Sequence, residues 1–108
     1  YVPPHRHLSA DKAETLLVLQ GRLGLLVFSD TGEVLAKRVM QAGGDCSGVD
    51  LPPGVFHGLV VLAPDTVMFE CKAGPYRPVG EGELADWAPR EGDANVAEYQ
   101  RWMLAQFD

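Results

Sequence analysis

At 108 residues the chain has room for one domain, whose core can withdraw roughly two-thirds of the unfolded surface from water. A net charge of −6 without any Lys/Arg cluster argues against nucleic acid and anionic membranes as partners, since both are held by basic patches. No apolar run is long enough to span a bilayer and no signal-peptide pattern opens the chain, so a cytoplasmic location is expected.

The chain opens at Tyr1 without a methionine, from which an incomplete N-terminus is expected. The 12 glycines and 8 prolines recur along the whole sequence, the mark of many short strands joined by tight turns. Cys46 and Cys71 form no C-x-x-C pair and are read as reduced thiols.

In chain order, the first feature is His5-Arg6-His7 after Pro3-Pro4. In an extended segment residues i and i+2 share a face, so the two imidazoles converge while Arg6 points away. From Thr15 to Met40 apolar runs at Leu16–Leu19, Leu23–Phe28 and Val34–Met40 predict two or three strands, turned at Gly21 and at Asp30-Thr31-Gly32-Glu33. Runs this continuous imply strands covered on both sides, or an outer face that meets a neighbouring sheet or subunit.

Further strands are predicted at Val49–Leu51, Phe56–Ala63 and Thr66–Lys72, with Pro52-Pro53-Gly54 and Pro64-Asp65 as the turns. Ala73 to Asn95 reads as an irregular loop pinned by Tyr76 and Trp87. Val96, Tyr99, Trp102, Met103 and Phe107 fit one face of a closing helix with Asn95 as N-cap. The division is thus a β domain over residues 1–72, a loop over 73–94 and a helix over 95–107, all one unit from 1 to 108.

Glu14, at the start of an apolar strand, and His57, just after the Pro-Pro-Gly turn, complete the candidate set with His5 and His7. Taken singly, each is best read as an ordinary polar side chain. Together they hold every histidine of the chain, and three imidazoles with one carboxylate suit a single divalent transition metal, Zn, Fe, Mn or Ni. Gly44-Asp45-Cys46-Ser47-Gly48 imitates a nucleophile elbow but lacks a following helix, and Gly80-Glu81-Gly82 lacks the context of a phosphate loop.

At these residues the chain resembles the cupins, whose first motif reads G-x5-H-x-H-x3-4-E-x6-G and whose second reads G-x5-P-x-G-x2-H-x3-N. His5-Arg6-His7, Glu14 and, six residues on, Gly21 follow the first; Pro52-Pro53-Gly54-Val55-Phe56-His57 follows the second. Six residues separate His7 from Glu14, where the motif has three or four, and Cys46 and Val61 replace the second motif's terminal glycine and asparagine.

Tyr1–His7, Phe69–Tyr76 and Trp87-Ala88-Pro89 are similar to the WbuC family of cupin-fold metalloproteins. The resemblance implies an all-β fold, a double-stranded β-helix or jelly-roll barrel closed by a short C-terminal α-helix. It implies a metal held by His5, His7, Glu14 and His57, and a place in lipopolysaccharide and O-antigen metabolism.

The expected activity is that of a metal-dependent enzyme, of isomerase, epimerase or oxygenase type, acting on a small sugar-related molecule. The alternative is a non-catalytic, metal-stapled binding or regulatory module, favoured by a greasy pocket if Leu59 and Val61 line the site. Glu70, Tyr76, Arg77 and Cys46 are candidates for binding the small-molecule ligand. A homodimer is expected from the surplus of apolar positions at Leu17, Leu19, Leu23 and Leu25.

Overall fold

The computed structural model describes all 108 residues. Six strands form in the order β1 (Glu14–Gln20), β2 (Arg22–Phe28), β3 (Val34–Gln41), β4 (Gly48–Leu51), β5 (Phe56–Val61) and β6 (Val67–Lys72), followed by α1 (Val96–Ala105). They build two antiparallel three-stranded sheets, β4-β1-β6 and β3-β2-β5. The fold is mostly β with one short helix, as expected; the sheets do not close into a barrel.

The two sheets face each other across a core of Leu16, Val18, Leu23, Leu25, Met40 and Leu51. A second core, of Leu26, Phe28, Phe56, Ala85, Ala88 and Met103, lies on the other face of β3-β2-β5 beneath α1. Strand β2 therefore feeds both cores, Leu23 and Leu25 one way and Leu26 and Phe28 the other, which is why its sequence is almost continuously apolar. In β1 the alternation is one-sided: Leu16 and Val18 are buried, while Leu17 and Leu19 face outward. Of the four leucines counted as surplus to the interior, Leu23 and Leu25 are core residues.

Chain reversals at a few positions set this arrangement. Gly21 carries β1 of one sheet into β2 of the other at φ +81°, and a Cβ there would lie 2.8 Å from Cα of Thr66. Only glycine meets both demands without strain. Gly24, inside β2, leaves the space taken by the Phe107 ring, which docks the end of the chain onto the sheet.

Asn95 stands at the N-cap position, but its side chain makes no capping hydrogen bond. Trp87 does pin the long loop, its ring lying 4.8 Å from that of Phe28 and 5.6 Å from that of Phe56. Tyr76 does not: it is 82% exposed. No helix is long and apolar enough to cross a membrane.

Candidate metal centre

The N-terminal segment is extended and lies beside β5. His5 and His57 exchange both backbone hydrogen bonds, at 3.1 and 2.9 Å, and the other edge of the segment is held by Arg6 N–H to Glu83 O and Ala85 N–H to Pro4 O. Directly paired residues point to one face, so the His5 and His57 rings stand 4.6 Å apart. Alternation brings His7 to the same face, 5.1 Å from His5. Arg6 is turned away, as expected: its guanidinium sits 4.4 Å over the Phe56 ring and its Nε–H donates to Gly82 O.

Glu14 comes from the opposite sheet. It opens β1 between Leu51 of β4 and Lys72 of β6, so the first segment does not run beside β1; β5 takes that place. Glu14 Oε1 reaches Nε2 of His57 at 2.7 Å and Nε2 of His7 at 3.4 Å. The ligating atoms of all four residues lie within 4.8 Å of one another, and such a group could hold a metal ion.

The hydrogen-bond inventory supports that fit. Nδ1 of His5 lies 2.9 Å from Pro3 O, and Nδ1 of His57 lies 3.0 Å from Val55 O. A carbonyl only accepts, so each Nδ1 carries a proton, which leaves Nε2 as the atom each ring turns toward the cluster, the arrangement that orients imidazole ligands toward a metal. Oε1 of Glu14 and Nε2 of His7 are buried without an aligned hydrogen-bond partner.

Burial would raise the Glu14 carboxyl, but the neighbouring His57 and Glu70 groups, with the charge of His57 and His7, outweigh it and hold it at about 2. Burial lowers His5 and His7 below the usual histidine range. An ionised carboxylate thus meets three imidazoles, of which burial disfavours the charged form of His5 and His7, an electrostatic arrangement that a dication completes.

A cleft of about 650 Å³ opens from His7. Glu70, Tyr76 and Arg77 line it, together with Lys12, Lys72 and Glu83. Cys46 does not: its side chain packs against the inter-sheet core and its thiol donates to Gly48 O, because the β3–β4 turn folds it inward. Leu59 and Val61 line a separate groove beside α1, so the walls around His7 are polar instead of greasy.

The Glu70 carboxyl faces that of Glu14, which together with burial raises it above the ordinary carboxylate range, while Lys72 at 2.9 Å acts against the rise. Lys72 was legible from alternation, since it lies two residues beyond Glu70 on β6. Nothing local marks Glu83, whose carboxylate accepts the N–H groups of Leu8 and Gly80.

A family model described as a domain of unknown function, DUF6016, matches residues 1–40, the segment that holds His5, His7 and Glu14. No curated protein and no solved structure shows significant similarity to the chain.

Proposed function

We propose that this protein is a cupin-type metalloprotein in which His5, His7, Glu14 and His57 bind one divalent transition ion, Zn, Fe, Mn or Ni. The reading extends to an enzyme acting on a small sugar-related molecule, in the setting of lipopolysaccharide and O-antigen synthesis to which the WbuC resemblance points. What supports it is the convergence of three imidazoles on a buried carboxylate, with two of the rings fixed through Nδ1. A metal bound there would supply Lewis-acid or oxygen-activating chemistry to a ligand oxygen.

The chain's own residues supply the rest. Backbone pairing of His5 with His57 and the carbonyls of Pro3 and Val55 fix the rings, and Glu14 contributes the negative charge. The cleft walls orient the ligand beside His7. A non-catalytic module needs no second ionisable group at the site, whereas Glu70 and Lys72 stand beside Glu14, which favours an enzyme over a staple.

Elemental analysis of protein prepared without a His-tag and reconstituted with each candidate ion tests the metal centre. One equivalent per chain is expected. A wild-type protein that retains no ion after exchange into metal-free buffer overturns the reading.

A further inference from the structure

We propose that the cleft beside the ligating cluster is an anion subsite, in which Arg77 takes a carboxylate or phosphate group of the bound small molecule. The inference rests on the metal-centre reading above and specifies the chemistry of what enters the cleft.

The cleft's charged side chains divide into those already engaged and those left over. Glu83 has both carboxylate oxygens occupied by backbone N–H groups, and Glu70 is paired with Lys72. Lys12 donates its ammonium to the carbonyls of Ala73 and Pro75, which position it without cancelling its charge. Arg77 makes no ion pair within the chain; exposed Asp11 feels its charge without pairing to it. Glu81 is the one lining acid left without a partner.

With a dication held by a single carboxylate, the balance of the cleft is positive on a chain whose overall charge is −6. The lining's cations (Lys12, Lys72, Arg77) and carboxylates (Glu70, Glu81, Glu83) cancel, so the ion supplies the excess, and a concave site with a net charge of one sign concentrates ligands of the other. The guanidinium fork matches the two oxygens of a carboxylate or phosphate, a match that a neutral polyol does not use. The polar lining and the volume suit a small hydrophilic molecule over an apolar one.

The test is calorimetric titration of the cobalt-loaded protein with inorganic phosphate, with lactate and with glycerol, after metal content has been measured in every variant. Phosphate or lactate should bind, the tighter of the two assigning the anion type. Arg77→Ala should weaken that binding roughly tenfold or more with metal content unchanged, and Arg77→Lys should restore part of it. Glycerol binding as tightly as the anions, no anion binding to wild type, or wild-type anion affinity in Arg77→Ala would each overturn the subsite. The last result would mean that the metal alone takes the anion. If the wild type takes up no ion, the metal reading fails by itself, and the same titrations on metal-free protein still decide whether Arg77 is an anion site.

Discussion

His5 and His57 are bound to each other through their own backbones, N–H to carbonyl in both directions, so the two rings are set by a strand pair and not by loop conformation. Glu14 approaches them from the other sheet. The candidate centre therefore ties the sheets together at one end, and each ligand contributes differently.

Glu14→Gln keeps the shape of the side chain and removes its charge, so metal affinity should fall, and His57→Ala should lower it further by removing a donor. Competition with a chromophoric chelator measures both. If Glu14→Gln retains full occupancy, Glu14 is no firm ligand, and the residue would act as a general base beside a three-histidine ion.

Because the ion would bridge two sheets, its removal should lower the melting temperature. At free metal one hundred times the dissociation constant the linkage amounts to about 2.7 kcal/mol. Scanning calorimetry before and after verified chelation reads the effect; superimposable curves would show that the ion contributes nothing to the fold.

Gly21→Ala meets both a left-handed backbone and the Thr66 Cα, and should cost about 1–3 kcal/mol. Leu26→Ala, at the base of the second core, should cost about 2–5 kcal/mol. Urea denaturation checks both, and a Gly21→Ala protein as stable as wild type would contradict the turn geometry.

Burial pushes Tyr1 and Tyr99 up to about 12, helped by the charge of Asp93 at Tyr1 and by Tyr1 at Tyr99. The fold holds both in their neutral form, and Tyr1 donates its hydroxyl to Pro89 O at 2.6 Å. Unfolded tyrosines release their protons near 10, so the stabilisation is complete below that pH and is lost as pH rises from 10 through about 12. Ultraviolet titration of the native protein should show two tyrosines ionising near the upper value, and ionisation of all three near 10 would refute this.

Leu17, Leu19, Val67 and Phe69 are exposed on the outer face of β1 and β6, with Leu17 directly opposite Phe69. This is the face on which a homodimer is proposed. Light scattering should give twice the chain mass, and Phe69→Glu should give a monomer. A monomeric wild type at high concentration would rule the dimer out.

Alternation and turn chemistry made the strands legible, because each apolar run ends at a glycine, proline or aspartate that the structure uses as a reversal. The convergence of His5 and His7 was legible for a related reason: His5-Arg6-His7 carries its geometry in its spacing. Pairing partners were not, since no apolar pattern shows that the N-terminal segment pairs with β5 in one sheet while β1 lies between β4 and β6 in the other. Cys46 as a cleft residue and Tyr76 as a pin of the loop were misplaced because inward or outward direction in an irregular turn has no period to read. The two-sided burial of β2 and the one-sided burial of β1 come from nearly identical apolar runs; what separates them is α1, which covers only one sheet.

Lys12 grips the loop after β6 by the carbonyls of Ala73 and Pro75, and Glu83 grips the segment after His7 by the N–H of Leu8. On the gripped side, both contacts are to main chain and ignore which side chains the gripped residues carry. Tyr76, Arg77 and Pro78 take no part in either contact, so exchanging them leaves both grips in place. Changes at these three positions therefore alter the chemistry of the cleft wall and leave its main-chain anchors as they are.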